Sequence, residues 1–237
     1  GTPLWTRDNT PDGEPIRVES PFTVADTDSD NIPEILAVAS GGLLCLDSSG
    51  TVRWTYQPSH TIIGAPALLV DPKTKKTSVV CLSQKENTIH LVDEATGKPS
   101  RIAPLLGKPD VYSGSSIVIG DIIWEEDVKN EIVFGDAVGH VYCFDENLNL
   151  LWVFSVKQPV NMCCSSGDVD DDGVPEILVG SGDHNLYALS DTGELVWSME
   201  TGLRIVHPPT LADIDDDGYT DILFGSCDRI VRCLGTQ

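Results

Sequence analysis

Three stretches of the chain place acidic side chains at the same offsets. Asp26, Asp28 and Asp30 take positions 1, 3 and 5 of a short loop, and Glu34 takes position 9. Asp168, Asp170, Asp172 and Glu176 repeat the pattern, and so do Asp213, Asp215, Asp217 and Asp221. Carboxylates two residues apart in a tight loop converge on one point, which suits a hard cation. Calcium takes about 6–8 oxygen ligands at roughly 2.3–2.6 Å, and backbone carbonyls complete the carboxylate set. Position 7 is the natural carbonyl donor, giving Ile32, Val174 and Tyr219. Position 6 must turn sharply. Gly173 and Gly218 hold it in two copies and Asn31 in the first, a residue that also tolerates the left-handed region. The spacing predicts about three Ca²⁺ sites, which would bring the formal charge from −22 to −16. The intervening Asp171 and Asp216 should face solvent.

The closing acid excludes one calcium architecture. An EF-hand closes with a carboxylate at position 12, on a helix. Here position 12 is Ala37, Val179 or Phe224, apolar and inside a strand-like run. A merely solvated acidic face does not account for recurrence at fixed positions. The four acids are all directed at the ion, so the sites read as staples between adjacent strands, not as catalytic centres. Two further copies have lost the pattern. Asp71 is followed by Pro72, Lys73, Thr74, Lys75 and Lys76, where an ammonium stands as a candidate replacement for the metal charge. The copy from Asp121 to Glu131 is longer, with Trp124 at position 4 and Glu125, Glu126 and Asp127 as weak candidates.

The elements that position these loops repeat with them. The first acids, Asp26, Asp71, Asp121, Asp168 and Asp213, are spaced 45, 50, 47 and 45 residues apart. That is the length of a four-stranded blade. Each loop runs into a short apolar stretch, starting at Glu34, Ser78, Glu131, Glu176 and Asp221. A further strand, an Asp- or Gly-bearing turn and a last strand ending in Trp54, Trp152 or Trp197 follow. The second copy lacks that Trp and reads as the least regular. No segment holds a period of 3.6 residues, so helix is not expected. The expected fold is all-β: a single β-propeller domain over 1–237, most simply five four-stranded blades. Its repeats fall at 6–54, 55–101, 102–152, 153–197 and 198–237 plus 1–5. The last copy would borrow its fourth strand from Pro3-Leu4-Trp5, closing the ring and removing the bare sheet edge. The alternative is part of a larger propeller.

The acidic loops resemble the FG-GAP repeats of integrin-type propellers, whose loops also join two strands. The hairpin segments, such as Asn185 to Trp197, resemble the PQQ-like repeats of quinoprotein-type propellers. The likeness covers nearly the whole chain and implies fold and calcium more than function, since both repeat types serve many activities. Adjacent Cys163 and Cys164 fit buried packing where an inner strand should run, beside Phe22 and Pro209 of other copies. The quinoprotein likeness supplies the alternative, a vicinal disulfide against the PQQ ring.

Composition narrows the function classes. With 37 acidic and 15 basic residues the chain is a poor partner for nucleic acid or anionic membrane. No apolar run approaches the length of a membrane span. Cys45, Cys143 and Cys233 share one repeat position with Val92 and Ala188, which predicts small buried thiols. In such propellers ligands meet the face opposite the metal loops. Tyr56, His60, Tyr112, His140, His184, Arg204, His207 and Arg229 are the polar candidates there. No nucleophile elbow, zinc-protease or phosphate-loop pattern occurs. The expected function is a monomeric, non-enzymatic binding module for a carbohydrate or protein ligand. A polysaccharide-active propeller enzyme, or less favourably a quinoprotein-type oxidoreductase, is the alternative. Low-affinity calcium sites suit an extracellular, cell-surface or periplasmic setting, although seven cysteines argue mildly against an oxidising one.

Overall fold

The computed structural model describes residues 2–10, 13, 15–28, 30–84, 87–106, 116–124, 128–160 and 164–235. Every regular element among them is a strand. The chain divides into two compact units, residues 1–114 and 115–237. The first holds two sheets. One is β1 (Thr23–Ala25), β2 (Glu34–Ala39), β3 (Gly42–Leu46) and β4 (Val52–Tyr56). The other is β5 (Ile62–Val70), β6 (Thr77–Ser83), β7 (Thr88–Asp93) and β8 (Pro99–Pro104). The second unit holds three sheets. They are β9 (Ile117–Gly120) to β12 (Leu150–Ser155) through β10 (Glu131–Gly135) and β11 (His140–Phe144), and β13 (Cys164–Gly167) to β16 (Leu195–Glu200) through β14 (Glu176–Gly180) and β15 (Asn185–Leu189). The last is β17 (Thr210–Ala212), β18 (Asp221–Gly225) and β19 (Val231–Leu234).

Each sheet is an antiparallel meander, and its second strand carries the core. β10 and β14 are buried at every position. They read as continuous apolar runs rather than alternating ones because both faces are covered. In the first unit Leu36, Val38, Leu43 and Cys45 pack with Ile62, Val79, Cys81 and Val92. In the second, Val133, Val141 and Cys143 pack with Ile177 and Val179, and Leu178, Leu186 and Ala188 pack with Ile222 and Phe224.

The tryptophans at the strand ends do a second job. Trp54 lies over Gly97 of the following sheet and Trp152 over Gly193, so that a Cβ on either glycine would sit 2.7 or 2.5 Å from ring atoms. The indole N–H of Trp152 donates to the Asp191 carbonyl at 2.8 Å, and that of Trp54 to the Glu94 carbonyl. Gly97 and Gly193 also have φ of 65° and 80°, so glycine is required there by space and by backbone. Trp5 makes the same contact with Gly50 and donates to the Ser48 carbonyl at 3.0 Å.

Three expectations change. The fifth sheet has three strands, and residues 3–5 form none, although Trp5 docks as a fourth-strand Trp does. Cys45 and Cys143 are buried as expected, but Cys233 is exposed because β19 is the outermost described strand of its sheet. The second sheet, read as the least regular, does carry a register shift between Ile63 and Ala67 in its first strand pair, yet it keeps four strands, with Pro99 pairing with Val92 where the first, third and fourth sheets have Trp. Proline serves on this strand because the position is exposed and peripheral, where a missing N–H costs little.

Candidate metal loops and the opposite loop face

Each acidic loop joins the first two strands of a sheet, and its backbone is fixed by its own side chains. The position-6 N–H donates to the position-1 carboxylate: Asn31 to Asp26 at 2.8 Å, Gly173 to Asp168 at 3.0 Å, Gly218 to Asp213 at 2.9 Å. Position 6 has positive φ in all three, 66°, 88° and 93°. The position-7 N–H of Ile32, Val174 and Tyr219 donates to the position-5 acids Asp30, Asp172 and Asp217 at 2.7, 2.7 and 2.9 Å. The closing acid is nearly buried, with Glu34, Glu176 and Asp221 only 2–5% exposed. One of its oxygens accepts the position-2 N–H, from Thr27, Val169 and Ile214 at 3.0, 3.0 and 2.8 Å. Glu131 keeps this cap in the degenerate third copy, accepting from Ile122 and Ile123 at 2.8 and 3.0 Å.

The remaining carboxylate oxygens converge. Asp26, Asp28 and Glu34 bring ligand atoms within 4.8 Å of one another, as do Asp168, Asp170 and Glu176, and Asp213, Asp215 and Asp221. Three acidic clusters can therefore hold a metal ion. The position-5 acids Asp30, Asp172 and Asp217, also expected as ligands, stand outside these clusters, and one oxygen of each braces the position-7 amide. A buried oxygen without a partner tests the fit: Asp168 Oδ1 is enclosed and receives no hydrogen bond. Such an atom normally costs about 1–3 kcal/mol unless something satisfies it. An all-oxygen donor set with an orphaned carboxylate oxygen fits a hard cation.

Electrostatics separate the loops. Burial, and then the nearby Asp170, Asp172 and Asp168 charges, push the Glu176 carboxyl up, against the pull of the Val169 amide. Asp217 first, then burial and Asp221, push Asp215 up. The first loop behaves oppositely. Arg53 Nη2 lies 2.7 Å from Asp28 and its Nη1 lies 2.9 Å from Glu34. The bond to Arg53 holds Asp28 below the usual carboxylate range. In the second copy, Asp71 accepts the Lys73 and Thr74 amides, while Lys76 pairs with Asp93 of the distant turn at 2.9 Å. Of the ammoniums expected to replace the metal, Lys76 thus serves another carboxylate, while the Lys73 charge helps to lower Asp71 after its hydrogen bonds to Thr74 and the Lys73 amide. Trp124 is 71% exposed, and residues 125–127 lie outside the described set.

The loops between second and third strands lie at the other end of each sheet. In the second unit each is knotted to an aspartate. The fully buried Asp136 accepts the amides of Val138, Gly139 and His140, the His140 ring at 2.8 Å and the Tyr142 hydroxyl at 3.0 Å. Asp183 accepts Tyr187 O–H at 2.8 Å, and Asp228 takes both Arg232 nitrogens at 2.6 and 3.2 Å. Asp183 and Asp228 also accept the Lys157 and Gly202 amides from the incoming chain at 3.3 and 3.1 Å. Sequence reading missed these clamps. Their signal is an Asp with His, Tyr or Arg four residues on.

The ligand-face candidates divide accordingly. His140 is tied to its clamp. His184 takes φ of 76° and its carbonyl accepts from Thr201. Arg204 lines a cavity of about 190 Å³ with Gln158, Pro159, Gly182, Ile205 and Val206. His60, His207 and Arg229 are exposed. Tyr56 is not on a face at all. It is buried, its hydroxyl 2.7 Å from His90 Nδ1. Tyr112 and Cys163 lie outside the described residues, and Cys164 is buried.

Solved structures share this arrangement of sheets. BamB from Moraxella catarrhalis superposes with a TM-score of 0.61 at 18% identity, over 92% of this chain and 58% of that one. The V. cholerae biofilm matrix protein Bap1 gives 0.72 at 16% identity, over 98% and 40%. Quinohemoprotein alcohol dehydrogenase from Comamonas testosteroni gives 0.65 at 16%, over 92% and 41%. The chain has a β-propeller fold. It spans only 40–58% of the length of these three proteins. No protein-family model matches the chain, and no curated protein matches it. Likeness at this identity speaks to the propeller fold alone. In the fourth and fifth sheets the acidic loop and the aspartate clamp sit at opposite ends. Among the described residues no helix is long and apolar enough to cross a membrane.

Proposed function

We propose that the protein is a calcium-stabilised propeller scaffold that presents the clamped loop face to a protein or carbohydrate ligand, outside the cytoplasm. The orphaned Asp168 Oδ1 among converging carboxylates carries the reading. Asp168, Asp170 and Glu176 would hold one ion and Asp213, Asp215 and Asp221 another, with Val174 and Tyr219 carbonyls completing the shell in the manner of FG-GAP loops. Calcium fits better than magnesium, which keeps its waters and demands near-octahedral geometry. Bound calcium supplies the positive charge that crowded carboxylates lack. The chain's own residues do the rest. They hold each loop open on its internal hydrogen bonds and fix the blade ends. The opposite face is rigid because Asp136, Asp183 and Asp228 pin its loops, and a rigid face binds at low entropic cost.

Thermal unfolding followed in calcium, in magnesium and in EDTA tests the scaffold half. Calcium should raise the transition and magnesium should do so weakly; equal curves in all three refute the calcium reading. A glycan array and pull-down with a protein bearing Asp228→Ala test the other half, since loosening that clamp should weaken capture while leaving the calcium response intact.

A further inference from the structure

We infer that the first acidic loop carries its own cation and that, of the three complete acidic loops, two take calcium and the first does not. The inference rests on the calcium reading of the other two loops and concerns where that reading stops. Arg53 is the whole difference. In the first sheet Cys45 pairs with Trp54 and Leu46 with Val52, so Arg53 is the extra residue of a β-bulge. A bulge re-aims the side chain of the extra residue. The third and fourth sheets carry the same bulge, with Leu151 and Val196 at that place, both exposed and neither able to serve an anion. Only in the first sheet does the bulge aim a guanidinium at the loop.

Its two arms bridge two of the three acids of that cluster, at Asp28 Oδ2 and Glu34 Oε1. Glu34's other oxygen already accepts the Thr27 amide and hydroxyl at 3.0 and 2.8 Å. The buried closing acid is then satisfied on both oxygens from within the chain. A cation entering here must displace a planar fork that matches the carboxylates. Among the described residues it meets no such obstacle at Asp168 or Asp213.

Counting calcium per chain by native mass spectrometry and by equilibrium dialysis decides the matter. The wild type should bind two ions. Arg53→Gln should bind three, the third within about tenfold of the others, because its loop then offers the same four unpaired acids at positions 1, 3, 5 and 9 as its sisters do. Arg53→Lys, which offers one ammonium for two carboxylates, should bind a third ion more weakly than Arg53→Gln does. Three ions on the wild type overturn the inference, and so do two on both the wild type and Arg53→Gln. No ion on any of these proteins overturns the calcium reading itself. A circular dichroism spectrum of each variant shows that the fold is kept.

Discussion

The loops at 26–34 and 168–176 have nearly superimposable hydrogen bonding and opposite electrostatics. Both turn at position 6 with positive φ, both brace position 7 on the third Asp, and both bury the ninth-position acid under a backbone amide. Yet Asp28 is held below its ordinary range by Arg53, whereas Glu176 is pushed above it by burial and crowding. Both loops draw their shape from short-range side-chain-to-backbone bonds. On the calcium reading, the charge balance is a separate problem with two solutions, a guanidinium from the outer strand or an ion from solution. The second copy shows a third outcome, in which the other acids are gone and Asp71 organises a turn beside the Lys73 charge.

The largest effect that follows is on stability. An ion binding only the folded state contributes about 2.7 kcal/mol per site at one hundred times its Kd. Two sites give about 5 kcal/mol between saturating calcium and EDTA. Scanning calorimetry on the wild type and on the double variant Asp168→Asn, Asp213→Asn checks this. The variant should lose nearly all of the calcium response. A large residual response would mean that the first loop binds after all, and the contrast between loops would fall.

Removing the closing charge sharpens the same contrast. Glu176→Gln keeps an oxygen for the Val169 amide and removes one of four crowded charges. In EDTA it should be neutral or stabilising by up to about 1 kcal/mol, and in calcium destabilising by about 2. Glu34→Gln leaves a partly buried guanidinium with one partner fewer. It should cost about 1–2 kcal/mol in both conditions, discounted because Arg53 is 30% exposed. Urea unfolding in the two buffers reads both variants. A Glu34→Gln cost that appears only in calcium would reverse the assignment of that loop.

Much of this was legible in the sequence because spacing encodes it. Five acid positions some 45–50 residues apart give the strand order, and position 9 identifies the capping acid. What spacing cannot encode is where a side chain from a neighbouring strand lands. Arg53 stands 25 residues from Asp28 and reaches it only through a bulge whose register depends on pairing. The position-5 acids look equivalent to the others in one dimension, but the tight turn points them at the position-7 amide. Tyr56 read as a face residue because it precedes a polar loop. Its partner His90 belongs to the next sheet, and that contact buries it. Trp54 and Trp152 were visible as strand ends, while the glycines beneath them were visible only as turn residues; their mutual need comes from packing.

The smallest effect is on pH dependence, and it has opposite signs at the two loops. A carboxyl depressed in the folded state stabilises the protein above its unfolded pKa, and this is lost as pH falls through the folded value. Asp28, ordinarily at 3.8, is of this kind. A carboxyl raised in the folded state costs stability at neutral pH, and the cost is relieved as pH falls through the folded value. Glu176, ordinarily at 4.5, and Asp215, ordinarily at 3.8, are of this kind. Urea midpoints measured in EDTA from neutral pH downward should therefore show Glu176 and Asp215 relieved first and the Asp28 contribution lost only at more acid pH. Glu176→Gln should flatten the first part of the profile, and Asp28→Asn the last. If Asp28→Asn changed the profile near neutrality instead, Arg53 would not be holding that carboxylate in solution, and the first loop would be as open to a cation as the other two.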